Sequence, residues 1–230
     1  MTTCQTCSNS HPKGTTCMRR VPIFTPLSSD EMSEVQRLIV QREYKKGEFI
    51  IHPLRVMQCL FIINKGKVKV LRPNSDGKEQ ILYVLTSGEF FGEQALFGRL
   101  SEDIIVEALE DTGICTISKA QFQALLQKMP QIALKMMEVM AGRLSKMEEL
   151  VESLGISSVD QRVWDLIEEY AEKFGQKSPQ GILIQLPLSR EEMANHLGIT
   201  RETISRKLAK YQDEGKIKLI GHKQLLLIKK

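Results

Sequence analysis

The sequence predicts an α+β protein built from a β jelly roll, one long helix and a C-terminal winged helix-turn-helix. Three observations support this fold class. Short β-branched runs alternate with glycine and proline from about Tyr44 to Ile117. Apolar residues recur at heptad spacing after Pro130. A helix, a turn with Gly198 and a second helix follow near the C-terminus. With 230 residues, of which 42% are hydrophobic, the chain is long enough for two globular domains.

The first 20 residues are polar and form a predicted tail that carries three cysteines, Cys4, Cys7 and Cys17. They lack the apolar segment of a secretory signal, and the chain has no apolar run of the roughly 20 residues that span a membrane. We therefore expect a cytoplasmic protein with no membrane partner. Residues 27–41 follow as a short amphipathic helix that Ser28, Ser29 or Asp30 could cap.

The jelly roll is predicted from alternation and turn signals. Lys67–Val70 alternates polar and apolar residues, as a half-buried strand does, and Asn74–Gly77 has the composition of a hairpin turn. Cys59 has apolar neighbours and is interpreted as a core residue. A short helix at 119–127 ends this domain, for which we predict the bounds 21–129.

The long helix, predicted over 130–156, carries one regular apolar seam. Steps of four and three residues relate its members, Ala133, Met137, Met140, Leu144, Met147, Val151 and Leu154. Two interpretations remain open at this point. The seam could pack against the chain's own barrel, or it could form a parallel coiled coil in a homodimer.

The last part, predicted over 157–230, begins with a helix at Val159–Phe174 and a loop at 175–181. Ser189 and Glu192 then have the spacing of a capping box, Gly198 suits the turn, and Thr200 caps a second helix over 201–208. The apolar positions that would join the two helices are Ala194, Leu197, Ile199, Ile204 and Leu208. Residues 217–228 form a hairpin wing around Gly221 and His222.

The second helix has the residues of a DNA-recognition helix. Its outward positions are Arg201, Glu202, Ser205 and Arg206, and Lys207 and Lys210 can reach phosphates. Residues 181–230 hold ten basic and five acidic residues, whereas the other 180 residues have a net charge of −1. The expected partner is double-stranded DNA. No Walker loop, nucleophile elbow or HExxH motif suggests an enzyme.

The segments GEFFGEQALF (88–97) and LGITRETISRKL (197–208), together with the order of the three parts, resemble the CRP/FNR superfamily of bacterial transcription regulators. The resemblance covers residues 20–230. It implies a cyclic-nucleotide-binding-type jelly roll, a dimerisation helix, homodimers on two-fold symmetric DNA sites, and contact with RNA polymerase.

The resemblance also bears on the ligand. In the cyclic-AMP receptor branch a Gly-Glu pair binds ribose and an Arg-Ser pair binds phosphate. Gly92 and Glu93 are present here, but Asp103 and Ile104 occupy the Arg-Ser positions. A carboxylate repels phosphate and isoleucine cannot donate a hydrogen bond, so no cyclic nucleotide is expected. A regulator gated by a cyclic nucleotide or another small molecule is the less favoured alternative. Gly92 and Glu93 are interpreted as a turn of the barrel.

The cysteines resemble those of the FNR branch, in which three tail cysteines and one near the end of the barrel hold a [4Fe-4S] cluster. This implies Cys4, Cys7, Cys17 and Cys115 as ligands, with His11 as an alternative to Cys17 because the Cys7–Cys17 gap is long. The other hypotheses are a thiol–disulfide switch, as in FNR-like proteins of lactic-acid bacteria, a zinc site, and an inert tail.

The recognition helix resembles the FNR type at Glu202, Ser205 and Arg206, which implies a TTGAT-like half-site. Arg201 resembles the cyclic-AMP receptor type instead, whose half-site is TGTGA-like. Glu202 and Arg206 are therefore expected to contact the shared GA step, while Arg201 could select a further guanine.

Overall fold

The computed structural model describes residues 18–52, 58–73, 79–98, 104–156, 158–221 and 223–228, without the side chains of 150 and 153–156. The chain divides into two compact units. One comprises Met1–Pro73 with Leu82–Lys146, and the other comprises Asn74–Ile81 with Met147–Lys230.

The first unit contains the predicted jelly roll, built from two four-stranded sheets. One sheet has the strand order β1-β8-β3-β6 and the other the order β2-β7-β4-β5. The strands are β1 (Val40–Tyr44), β2 (Phe49–Ile51), β3 (Cys59–Lys65), β4 (Lys67–Pro73), β5 (Glu79–Thr86), β6 (Phe90–Phe91), β7 (Ile105–Ala108) and β8 (Thr112–Ser118). The helices that accompany them are α1 (Ser29–Leu38), α2 (Glu93–Phe97) and α3 (Lys119–Lys128).

The first helix is shorter than predicted. Ser28 caps α1 in a capping box with Glu31, as the sequence allows, but the helix ends at Leu38 instead of residue 41. Val40 begins β1 and pairs with Thr116 of β8. Residues 40 and 41, which the predicted helix included, therefore belong to the sheet.

Two apolar clusters pack on opposite faces of β3. One lies around Ile50, Phe61, Val106 and Ile114. The other combines Leu60, Phe90 and Cys115 with residues that precede α1. Among these is Met18, which begins a 3₁₀ turn and is 2% exposed. The tail assigned to residues 1–20 thus contributes at least its last part to the core.

The long helix α4 (Pro130–Ile156) has two apolar faces. Ile132 and Met136 are buried in the same cluster as Cys115, with Val139 and Met140 partly buried against it. The adjoining seam is exposed at Met137, Leu144, Met147 and Val151, with exposed fractions of 59%, 58%, 63% and 70%. Ala133 is partly buried, and the side chain of Leu154 lies outside the described residues.

The second unit contains the predicted helices and wing, plus one hairpin that the sequence interpretation missed. The elements are α5 (Val159–Phe174), β9 (Gly175–Ser178), β10 (Gly181–Gln185), α6 (Arg190–Leu197), α7 (Arg201–Asp213), β11 (Ile217–Ile220) and β12 (Gln224–Ile228). The predicted loop at 175–181 was wrong: its first residues form β9, which pairs with β10 at the edge of the wing's sheet. Because the segment lacks apolar alternation, only its hairpin pairing with β10 makes it a strand.

Candidate nucleic-acid interface

Two capped helices and one tight turn form the helix-turn-helix. Ser189 accepts a hydrogen bond from the Glu192 amide, and the Glu192 carboxylate accepts one from the Ser189 amide. Gly198 ends α6 in the left-handed conformation, with φ of 65°. Thr200 then caps α7 through the Thr203 amide. These local hydrogen bonds set where the second helix begins.

Helix α7 has distinct inner and outer faces. Ile204, Leu208 and Tyr211 are buried at a spacing of four and three residues. On the other face Arg201, Glu202 and Arg206 are exposed, and Ser205 between them is partly buried. The helix is longer than the predicted 201–208, because Tyr211 continues the buried stripe and extends the packing surface.

The two lysines expected to reach phosphates contact a carboxylate within the protein. The Oδ2 atom of Asp160, in the first turn of α5, lies 2.8 Å from Lys207 Nζ and 3.4 Å from Lys210 Nζ. The Lys207 hydrogen bond is the largest of the effects that hold the pKa of Asp160 below its usual value. Asp160 was not singled out in the sequence, because its partners lie about 50 residues away.

Aromatic residues join α5 to α7. The Tyr211 hydroxyl donates to the Asp160 carbonyl oxygen at 2.7 Å, and its ring meets the edge of Trp164 with centroids 5.2 Å apart. Burial is the main cause that raises the pKa of Tyr211 to about 12, so the hydroxyl remains protonated well above neutral pH. The position of Tyr211, seven residues after Ile204, was the signal by which it could have been found.

A small pocket lies in the jelly roll at the Gly92–Glu93 turn. Ile51, Val70, Val106 and Ile104 line it, and its free space of about 20 Å³ suffices for about one water molecule. Asp103 lies outside the described residues.

The turn beside this pocket has a structural role. Gly92 has φ of 86°, and a Cβ atom there would approach the Cys59 carbonyl oxygen to 2.6 Å. Arg143 of α4 donates to Glu93 Oε1 at 3.0 Å and to the Phe90 carbonyl oxygen. The other carboxylate oxygen, Glu93 Oε2, is buried with no hydrogen-bond partner among the described residues.

Of the four predicted cluster ligands, only Cys115 lies in the described residues. It is 1% exposed in β8, where it pairs in register with Gln41 and Ile62. Cys4, Cys7, Cys17 and the alternative ligand His11 lie outside the described part. Within that part, no three His, Cys, Asp or Glu residues come together as a metal site. Cys59 is half-buried, and burial raises the pKa of its thiol.

Among the residues that the structure describes, no helix is both long enough and apolar enough to cross a membrane.

Comparison with known proteins identifies both domains. Residues 41–129 match the cyclic nucleotide-binding domain, and residues 161–230 match the Crp-like helix-turn-helix domain.

Two relatives match over most of their own length. The chain is 29% identical over 211 residues to the probable transcriptional regulator flp of Lacticaseibacillus casei, covering 92% of this chain and 94% of that protein. It is 27% identical over 219 residues to the fumarate and nitrate reduction regulatory protein of Escherichia coli K12, covering 95% and 84%.

A solved structure supports the same assignment. The structure of a CooA mutant from Carboxydothermus hydrogenoformans matches with a TM-score of 0.75 and 27% identity, covering 90% of this chain and 91% of that one. The two matched domains flank α4 in the order that the sequence predicted. The chain therefore belongs to the CRP/FNR superfamily and is a DNA-binding transcription regulator.

Proposed function

We propose that this regulator responds to oxygen or redox state and binds a palindromic TTGA-type site as a homodimer. One observation carries the DNA-binding mode: Arg201, Glu202 and Arg206 stand exposed on one face of a capped helix whose opposite face is buried. In this mode the N-terminal half of α7 enters the major groove.

Each exposed side chain has a base that it suits. Arg206 can donate a bidentate pair of hydrogen bonds to guanine, and Glu202 can accept one from the cytosine amino group. Ser205 and Thr200 can accept or donate at neighbouring positions. Arg201 suits an additional guanine, so the outermost base pair of each half-site is the one where we expect deviation from TTGAT.

The homodimer is proposed to form through α4. Its inner face already packs on the barrel of its own chain together with Met140 of the seam, whereas Met137, Leu144, Met147 and Val151 remain exposed. Large apolar side chains at heptad spacing match a second copy of the same helix, and two-fold symmetry then places two α7 helices on two half-sites. RNA polymerase is the further partner that the family implies.

The proposed sensor is a [4Fe-4S] cluster held by Cys4, Cys7, Cys17 and Cys115. The support from the structure is the position of Met18, which directly follows Cys17 and is buried in the same apolar cluster as Cys115. The backbone next to the third tail cysteine is thereby anchored on the core that contains the fourth. Four thiolates are the usual ligand set, and the bound cluster would supply the oxygen-reactive centre.

A thiol–disulfide switch is the second candidate, and it uses the same anchoring. Here a tail thiol and Cys115 would lose two electrons and two protons to an oxidant such as oxygen and form a disulfide. Neither candidate needs a cyclic nucleotide.

A spectrum of protein purified without oxygen distinguishes these candidates. If the cluster is bound, the protein should be brown, with a broad absorption band at about 400 nm that disappears on exposure to air. Cys115→Ala should lose the band, whereas Cys59→Ala, the matched control in β3, should keep it. A colourless protein that runs faster on a non-reducing gel after oxidation indicates the disulfide. A colourless protein that binds DNA equally in both redox states contradicts redox sensing.

A further inference from the structure

Two lysines of the recognition helix share one carboxylate. Lys207 and Lys210 are three residues apart on α7, and both ammonium groups lie within 3.4 Å of Asp160 Oδ2. To an ammonium group, a carboxylate oxygen offers the same kind of charge-assisted hydrogen bond as a phosphate oxygen of DNA. Asp160 therefore binds both lysines in the way that a DNA phosphate is expected to bind them.

Contacts with Tyr211 and the start of helix α5 stabilise the position and the charge of Asp160. Tyr211 donates to the Asp160 carbonyl oxygen at 2.7 Å and lies 3.4 Å from Oδ1. Asp160 also sits in the first turn of α5, where the helix dipole favours a negative charge. The exposed fractions are 37% for Asp160, 50% for Lys210 and 20% for Lys207, so the group is partly open to solvent and Lys210 is the more accessible lysine.

We propose that Asp160 competes with DNA phosphates for Lys207 and Lys210 and so lowers the sequence-independent affinity for DNA. The inference rests on the proposed docking of α7 in the major groove. Non-cognate binding consists almost entirely of phosphate contacts, so the competition is most visible there. A regulator that must find few sites among many benefits from weak non-cognate binding.

A brace between α5 and α7 is the alternative role for Asp160, and it predicts the opposite sign. If Asp160 only held α7 in position, its removal would loosen the helix and weaken binding to every duplex. If it competes with phosphate, its removal releases both ammonium groups from this carboxylate, while Lys210 keeps Glu214 at 3.8 Å, and binding to non-cognate DNA becomes stronger. The sign of the change therefore separates the two roles.

The experiment measures binding of full-length protein to a non-cognate duplex by fluorescence anisotropy between 50 and 200 mM salt, a range in which phosphate contacts dominate. Asp160→Asn should tighten binding roughly threefold to tenfold, the range that two partly exposed ion pairs can supply. The slope of log affinity against log salt should steepen by up to about 1.8, for two more phosphates neutralised.

Two further variants complete the test. Asp213→Asn removes the same charge from the exposed end of α7 and should leave the salt slope unchanged. The triple variant Asp160→Asn/Lys207→Gln/Lys210→Gln should lose the gain. Unchanged or weaker binding by Asp160→Asn would overturn the proposal, as would a gain that persists in the triple variant or that Asp213→Asn reproduces. Failure of the docking mode shows separately, as an unchanged cognate affinity in Arg206→Ala.

Discussion

Arg206 is the residue on which base recognition is expected to depend most. It is exposed on α7, beside the partly buried Ser205, and its guanidinium can form two hydrogen bonds with one guanine. Arg206→Ala should weaken binding to a palindromic TTGA-type duplex by about 1–3 kcal/mol for each half-site and relax the preference at one base pair.

The control for this prediction is Lys177→Ala, which removes one exposed positive charge from β9 of the same unit. Titrations of cognate and single-mismatch duplexes at one salt concentration give the discrimination ratio of each variant. If Arg206→Ala kept the full ratio, the proposed orientation of α7 in the groove would be incorrect.

At the scale of elements, Arg143 adds polar contacts to the apolar packing of α4 on the barrel. Its guanidinium donates to Glu93 and to the Phe90 carbonyl oxygen and lies over the Phe90 ring, 4.7 Å from the centroid. Arg143→Ala leaves the buried Glu93 carboxylate without this partner and should lower the free energy of unfolding by about 2 kcal/mol.

Urea denaturation at one fixed protomer concentration measures this loss. Lys135→Ala is the matched control, since it removes an ion pair with Glu138 on the same helix, where both side chains are more exposed. Its cost should stay below about 0.5 kcal/mol. Equal costs for the two variants would show that the Glu93 contact has no special role in joining α4 to the barrel.

Elements also differ in how far local sequence predicts them. The caps at Ser28, Ser189 and Thr200 were predictable because the hydrogen bonds join residues three apart. The strand β9 was not, because its partner β10 determines it. The outward residues of the recognition helix could be predicted from the sequence. The ion pair between Lys207 and Asp160 could not, because it joins two separate helices.

At the scale of the whole molecule, the proposed function requires a second copy of the chain. Leu144→Glu/Met147→Glu places two charges on the exposed seam without touching the face of α4 that packs on the barrel, and should abolish the dimer. Sedimentation velocity in the absence of oxygen measures this directly. Binding to a palindromic site should fall with the dimer, because one α7 contacts only one half-site.

Ser145→Glu/Lys146→Glu introduces the same side chains at the two exposed positions between these residues, off the heptad seam, and should remain dimeric. A dimer that persists in Leu144→Glu/Met147→Glu would place the association surface elsewhere. Loss of the dimer in both variants would point to charge alone, without a specific seam.

The sequence by itself determined the order of the parts, the helix caps and the outward residues of α7, because these depend on periodicity and on hydrogen bonds between near neighbours. Only the tertiary structure decided which apolar face of α4 packs on the barrel, which carboxylate holds Lys207, and that Met18 shares a core with Cys115. These contacts join residues about 50 to 100 positions apart in the chain. Local sequence patterns do not distinguish between the alternative contacts, whereas packing of the folded chain does.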